Sequence, residues 1–283
     1  MASDGALQRG AALVQVGRYQ QALSMLASAS NESSDTWAWR SIAHSGLDQN
    51  DEAVDAAQKG LAINPEDPDL YLCLARAHED TDDLAAGERA VLEGIRRAPR
   101  IPQFWACYAR LCGLAGQPDK ATALIAEAAQ LDPESVDTAE ARVLLAWLRN
   151  DDAEVARCSH QLLALDPNSQ SGHAFLGLTS ALSGRPDEAA ENMRTAVLLD
   201  PSRTNIVALA DETRILAHWA MWPIRPLHWL GGAQSWIFAF AVAFLLMGMG
   251  FESLGMGILM LYVVLAVYSW VVPPIVRRQI RRL

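Results

Sequence analysis

The sequence predicts an all-α protein with two parts, a stack of helix–turn–helix repeats over residues 1–201 and a pair of apolar helices near the C-terminus. Two observations support this fold class. Five prolines recur at a constant spacing of 34 residues, and two long runs without charged side chains come after the last of them. The charge also changes there, because residues 1–201 carry 16 basic and 30 acidic side chains, whereas residues 202–283 carry 7 and 3.

Small and turn-forming side chains occupy fixed positions before each repeating proline. The prolines are Pro65, Pro99, Pro133, Pro167 and Pro201. Twelve positions before them stand mostly small residues, Ala53, Gly87, Ala121, Val155 and Ala189. Seventeen positions before them stand residues that tolerate a positive φ, Asp48, Asp82, Gly116, Asn150 and Gly184. Each unit is therefore predicted to run helix, short turn, helix and proline-marked turn, since small columns let helices approach and proline stops the second helix.

These columns resemble the tetratricopeptide repeat (TPR) family. The resemblance covers residues 35–201 as five units, and a looser first unit over residues 3–34 makes six TPR-like helix pairs within residues 1–201. In this atypical first unit, 31 positions rather than 34 separate Ala22 from Ala53. The unit ending at Pro167 departs most from the pattern, with Val143 and Leu162 in columns that are smaller elsewhere. The resemblance implies a right-handed superhelical solenoid whose first helices line a concave groove.

The region after the repeats is predicted to cap the stack. Apolar residues recur at helical spacing between about Arg203 and Trp222, and charged residues occupy the other side. Pro223 and Pro226 then separate this helix from the apolar C-terminal runs. Residues 202–226 are therefore interpreted as a capping helix and linker that covers the last apolar face of the solenoid.

Two uncharged runs predict a transmembrane helical hairpin. Residues 230–251 and 254–272 are apolar, and Glu252 is the one charged residue between Leu230 and Val276. A straight helix over residues 236–272 would be about 55 Å long, well beyond a hydrocarbon core of about 30 Å. A hairpin turning near Glu252 keeps that charge at the far interface. The alternative is a buried helix pair of a soluble domain, for which the sequence offers no third covering element.

The flanks of the hairpin predict its topology. The candidate anchor residues are Trp236, Trp270, Arg277, Arg278, Arg281 and Arg282. Indole rings favour the headgroup region, and arginines at both ends favour a cytoplasmic location of both ends. We therefore expect a multi-pass protein of the cell (inner) membrane that contacts membrane lipid, with the repeat domain and the basic tail, residues 273–283, in the cytoplasm. Two lysines against 21 arginines point to a GC-rich, bacterial genome.

The sequence carries no recognisable motif for catalysis, for a cofactor or for a metal. The acidic balance argues against nucleic acid as a partner, because phosphates attract a basic surface. Four cysteines are too few for a disulfide scaffold of this size, and all four lie in apolar helical patterns. They are interpreted as reduced core residues, and an enzyme is the least favoured class of function.

The predicted binding surface is the concave groove. Its candidate residues, by the resemblance, are Trp39, Arg76, Arg110, Leu144, Trp147, Phe175 and Leu178. Arg76 and Arg110 share one column of adjacent repeats and are candidates for gripping a carboxylate of a partner. Two alternatives stay open. In one the arginines pair with Glu79, Asp80 or Glu140 of this chain, and in the other the aromatic residues belong to the interhelical core.

Two functions from different classes fit this organisation. The leading hypothesis is a membrane-anchored cytoplasmic scaffold, or adaptor, whose groove binds a protein or peptide and recruits it to the membrane. The alternative is a structural or assembly subunit of an integral membrane complex, which meets other membrane-protein subunits through its transmembrane hairpin.

Overall fold

The computed structural model describes residues 2–201, 204–224, 232–249 and 251–280, and within these ranges the regular structure is helical. The helices of the first part are α1 (Ala2–Gln15), α2 (Tyr19–Leu26), α3 (Ser34–Ser45), α4 (Asn50–Ile63), α5 (Pro68–Asp80), α6 (Leu84–Arg97), α7 (Pro102–Leu114), α8 (Pro118–Leu131), α9 (Val136–Leu148), α10 (Asp152–Leu165), α11 (Gln170–Leu182) and α12 (Pro186–Leu199). The C-terminal elements are α13 (Thr204–Ala217), a 3₁₀ helix (Trp219–Ile224), α14 (Gly232–Gly248) and α15 (Glu252–Ile280). The fold is a helical repeat solenoid followed by a pair of helices.

The turn within each repeat depends on a residue in the left-handed backbone region. The five predicted positions all have a positive φ, between 56° and 72°, and so does Gly17 of the first unit. The predicted proline stops are equally regular, because each second helix ends two residues before its proline, as α4 does at Ile63 before Pro65. Local backbone chemistry therefore sets the length of every unit.

Asn150 offers a direct test of this turn. Its φ is 56°, a conformation that asparagine tolerates and a β-branched residue does not. We expect Asn150→Val to lower the free energy of unfolding by about 1–2 kcal/mol, whereas Asn150→Gly changes it by a few tenths at most. Urea unfolding followed by circular dichroism at 222 nm compares the two variants. Equal destabilisation by valine and glycine would mean that the side chain of Asn150, rather than its backbone conformation, matters.

Packing between successive repeats pairs a large side chain with a small one. Phe104 on α7 is fully buried against Gly94 on α6, where a Cβ atom would lie 2.1 Å from the Phe104 ring. Leu70 packs in the same way on Gly60, with 2.5 Å to the hypothetical Cβ. At the junction of α10 and α11 the two sizes are exchanged, because buried Leu162 and its neighbour Leu163 lie against Gly172, where a Cβ atom would be 3.4 and 2.9 Å from them. The departure of Leu162 from the small-residue column is thereby compensated in volume.

The first helices of successive repeats form one continuous layer. Helix α3 contacts α5, α5 contacts α7, α7 contacts α9 and α9 contacts α11, while each second helix packs beside its own first helix. Side chains also reach across two units, since Arg76 on α5 meets Asp137 on α9. Such a contact requires the layer to curve toward that face. The layer of first helices therefore lines a concave surface.

The capping helix is shorter than the sequence predicts. Helix α13 packs on α12, as expected for a cap, but it ends at Ala217 and the chain continues as the 3₁₀ helix through Pro223. Proline at position 223 lacks the amide hydrogen that a continuing α-helix needs. The cap is therefore a helix followed by a tight turn.

The two C-terminal helices pack against each other as a hairpin. Helix α15 continues to Ile280, beyond the predicted end at residue 272 and through Pro273 and Pro274. The extension is held by packing, because Val276 is buried in a cluster with Ile215 and Met221 of the capping region. The described part of the predicted basic tail, residues 273–280, is thus helical.

One hydrogen bond reinforces the junction between hairpin and cap. The Tyr268 hydroxyl on α15 donates to the Ala220 carbonyl oxygen of the 3₁₀ helix at 2.8 Å. Leu265 and Val272 pack around the same cluster. The C-terminal half of α15 therefore joins the solenoid through direct contacts.

Candidate functional site: the concave groove

A cavity of about 480 Å³ opens on the N-terminal half of the concave layer. Side chains from α3, α5, α7 and α9 converge on it, together with Tyr19 at the start of α2. Its apolar lining includes Trp39, Ile42, Leu72 and Cys73, and its charged lining includes Asp35, Asp67, Asp69, Asp80, Arg76, Arg110 and Glu140. The cavity therefore combines apolar and charged side chains, and Asp35 and Asp69 are exposed at its rim.

Arg76 is placed in the cavity, as predicted, but a carboxylate of the same chain already binds it. Its Nη2 lies 2.5 Å from Oδ1 of Asp137. Burial, the largest single influence, would lower the pKa of Arg76, yet Asp137 together with smaller contributions from nearby groups raises it overall. Sequence reasoning did not find this partner, because Asp137 lies 61 residues away and meets Arg76 only through the curvature of the stack.

Arg110 is also paired within the chain. Its Nε and Nη2 donate to Oε1 of Glu79, at 3.0 and 2.7 Å, and Glu140 lies 3.8 Å from Nη1. The Glu79 side chain is 7% exposed, so this contact is largely removed from water. Burial alone would lower the pKa of Arg110, but the nearby carboxylates of Glu79 and Glu140 help to raise it. The structure thus has the intramolecular alternative for both arginines, with the named partners Glu79 and Glu140 for Arg110 but with Asp137, which was not named, for Arg76.

The other predicted groove residues divide between the cavity and the core. Trp39 lines the cavity and is half-buried. Trp147 and Phe175 pack against the buried cluster of α9 and α10, with their ring centroids 5.7 Å apart. Leu144 and Leu178 are half-buried on α9 and α11 and do not line this cavity. The cavity thus brings together three of the seven predicted residues, Trp39, Arg76 and Arg110.

The structure adds acidic residues that sequence reasoning missed. Asp35 and Asp69 lie on the rim, and the spacing of 34 residues puts them in one column with Asp137. Burial, and then the nearby Asp67 and Asp35, raise the pKa of Asp69. Carboxylates gathered in this way repel one another unless a cation lies between them. The repeat spacing of the three aspartates was the available sequence signal.

The groove offers no activated nucleophile in its described part. Cys73 lines the cavity, and burial raises the pKa of its thiol to about 12, so it stays protonated at neutral pH. Burial also raises the pKa of Cys107 to about 12. Within residues 2–201, 204–224, 232–249 and 251–280, no cluster of His, Cys, Asp and Glu is suited to a metal ion. The arrangement is suited to binding through charge and apolar contact.

The predicted anchor residues fall in the C-terminal helices or beyond the described part. Trp236 lies in α14, and Trp270, Arg277 and Arg278 lie in α15. Arg281 and Arg282 lie outside the described residues. Among the described residues one stretch, Met256–Pro273 of α15, is long and apolar enough to cross a membrane. Helix α14, with 17 residues, is about 25 Å long.

Known structures with similar folds are TPR proteins. No family model and no curated protein matches the sequence. A TPR protein of Parabacteroides merdae is similar to 74% of this chain and 83% of its own, with a TM-score of 0.62 and 15% identity. A thermophilic TPR protein of Thermus thermophilus matches 65% of this chain and 100% of its own, with a TM-score of 0.57 and 17% identity. This chain has a TPR-like fold.

A third similar structure belongs to an assembly. It is a chain of the APC/C hetero-tetramer Cut9–Hcn1, with a TM-score of 0.59 and 14% identity over 77% of this chain and 44% of that one. This protein is therefore similar to less than half of that longer chain. At these identities the likeness concerns the fold, and function has to be argued from this chain's own surfaces.

Proposed function

We propose that this protein is a membrane-anchored, TPR-like scaffold, which binds a protein or peptide segment in its concave groove and holds it at the membrane. The observation that carries the proposal is the direct junction between the groove-bearing stack and an apolar helical hairpin. The Tyr268 hydroxyl and the Val276 cluster make that junction. The mechanism is an increase in local concentration, with no covalent chemistry.

The groove supports the binding half of this proposal. It combines half-buried Trp39 with charged side chains at the rim, a mixture that fixes both the position and the direction of a peptide. Further along the stack, Leu114, Leu148 and Leu182 recur every 34 residues on the first helices and are 38%, 38% and 59% exposed. These leucines provide an apolar continuation of the cavity toward the C-terminal repeats.

The hairpin surface supports the anchoring half. Large apolar side chains are exposed on both helices and at the turn residue Met249. Those on the helices are Phe240, Phe244, Leu245, Met256, Met260, Leu261, Val263, Val264, Val267, Val271 and Ile275. A soluble protein rarely exposes so many contiguous apolar side chains, whereas lipid covers them at no cost. We propose that both helices enter the bilayer and that both ends lie in the cytoplasm of a bacterial cell.

The lengths of the two helices agree with this arrangement. Helix α15, with 29 residues, is about 43 Å long, and a hydrocarbon core is about 30 Å thick. About 13 Å of α15 therefore projects beyond the hydrocarbon. We assign this projecting part to the C-terminal end of the helix, around Val276, where it contacts the capping region. The solenoid then stands on a helical stalk close to the headgroups.

Site-specific photo-crosslinking in native membranes tests the proposal. A photoreactive amino acid replaces Trp39 or Leu178 on the stack, or Phe244 or Val264 on the hairpin. We expect protein adducts from the groove position Trp39 and mainly lipid adducts from the hairpin positions. Protein adducts from the hairpin alone would contradict the scaffold and favour the structural subunit of an integral membrane complex.

A further inference from the structure

Three aspartates form a column along the first helices. Among the described residues, one of the three has an ion-pair partner and two have none. Asp35, Asp69 and Asp137 are separated by one and two repeat lengths of 34 residues. Asp137 receives the guanidinium of Arg76, which comes from a helix two units earlier. The position from which an equivalent arginine would reach Asp69 is occupied by Ala11, because the first unit is 31 rather than 34 residues from the second. The chain therefore supplies a cation at one end of the column and none at the other.

Neither Asp35 nor Asp69 has an ion-pair partner among the residues that the structure describes. Their neighbour Asp67 is used locally, because it accepts from the Asp69 amide at 3.1 Å and from the Ser34 hydroxyl at 3.3 Å. Burial, together with the repulsion among these carboxylates, raises the pKa of Asp69. A positive charge placed between Asp35 and Asp69 would relieve this repulsion.

The remaining charges of the cavity do not change this conclusion. Its lining contains five carboxylates and two arginines. Both arginines are already neutralised, Arg76 by Asp137 and Arg110 by Glu79 and Glu140. An incoming anion would have to break one of these pairs, whereas an incoming cation finds two free carboxylates at the rim. The groove is thus complementary to positive charge, not to the carboxylate that the arginine column predicted.

We infer that the N-terminal end of the groove binds a cationic peptide segment, with an arginine or lysine between Asp35 and Asp69 and a neighbouring apolar side chain on Trp39 and Leu72. The Arg76–Asp137 pair is the internal example of the same contact. Arginine suits the site better than lysine, because a guanidinium pairs with carboxylates through two hydrogen bonds and stacks on an indole ring. The inference rests on the proposed function, because it assigns the charge of the segment that the scaffold holds.

Selection from a random library of displayed twelve-residue peptides tests the inference. The bait is the full-length chain in nanodiscs of zwitterionic phosphatidylcholine, so that the lipid does not itself retain basic peptides. We expect peptides with a net charge of +3 or more to be enriched about ten-fold over the input by the wild-type chain. In Asp35→Asn/Asp69→Asn this enrichment should fall to within about two-fold of the input.

A matched variant controls for net charge and for position in a helix. Asp51 and Asp119 are exposed aspartates in the first turns of α4 and α8, and neither lines the cavity. Asp51→Asn/Asp119→Asn removes the same two charges from equivalent helix positions, so it should keep the enrichment of the wild-type chain. Circular dichroism at 222 nm confirms that both variants are folded.

The outcomes separate this inference from the proposed function. Recovery of peptides without an excess of arginine and lysine, or equal loss of enrichment in both double variants, would overturn the cationic preference while leaving the scaffold intact. Recovery no greater than that of empty nanodiscs would contradict the scaffold itself. Loss of enrichment in Asp35→Asn/Asp69→Asn alone supports the site.

Discussion

Replacing Phe104 by alanine is expected to lower the free energy of unfolding by about 3–5 kcal/mol, the largest stability effect that we predict. Phe104 is fully buried at the centre of the stack, where its ring lies on Gly94 of the preceding helix. Removing the ring leaves a void between α6 and α7 that the helix backbones cannot close. Urea unfolding of the full chain in detergent micelles, followed by circular dichroism, measures the effect. Leu114→Ala on the same helix is the control, because Leu114 is 38% exposed and should cost under about 1 kcal/mol.

A double-mutant cycle shows whether the ring and the glycine act as a pair. A Cβ atom on Gly94 would lie 2.1 Å from the Phe104 ring, so Gly94→Ala alone should also destabilise the chain. In Gly94→Ala/Phe104→Ala the added methyl group enters the void. We therefore expect the double variant to lose about 1–3 kcal/mol less unfolding free energy than the sum of the losses in the two single variants. Additive effects would show that the two residues do not share one packing site.

The second large effect concerns membrane integration. Val264 and Val267 lie in the candidate span and are 61% and 58% exposed. Arginine near the centre of a transmembrane helix costs about 2.5–3.5 kcal/mol on insertion scales. We therefore expect Val264→Arg/Val267→Arg to move the protein from the membrane pellet to the supernatant, or to degradation, while the wild-type chain resists extraction with alkaline carbonate.

Conservative replacement at the same two positions controls this experiment. Val264→Leu/Val267→Leu keeps the surface apolar and should stay in the pellet. If the hairpin were instead a helix pair of a soluble domain, arginines at these exposed positions would change little. Carbonate extraction of the wild-type chain would then release it, and the anchoring half of the account would be wrong.

The features that could be predicted from the sequence are those with a local physical cause. The positive φ of Asn150 follows from the residue type that each turn requires, and the end of α4 at Ile63 follows from Pro65. Both causes act within a few residues, and the same residue types recur every 34 residues along the chain. The extension of α15 through Pro273 could not be foreseen in this way, because it depends on the contact of Val276 with the cap.

The candidate site was harder to predict because its chemistry depends on curvature. Arg76 and Arg110 were placed correctly on the first helices, but their partners lie on other repeats, and the distance between α5 and α9 is a property of the whole stack. The aromatic pair Trp147 and Phe175 illustrates a further ambiguity, because a large side chain on a first helix serves either the groove or the core. The column of Asp35, Asp69 and Asp137 was visible in the sequence, yet the unequal pairing of its members was not.

The most direct test of the scaffold is a pull-down from cells that express the tagged chain with and without residues 225–283. The account predicts that partners captured by the full chain at the membrane stay bound to the truncated chain and move with it into the soluble fraction. Partners that are lost with the hairpin, while the truncated stack remains folded by circular dichroism, would contradict the account and show that the interaction lies in the membrane.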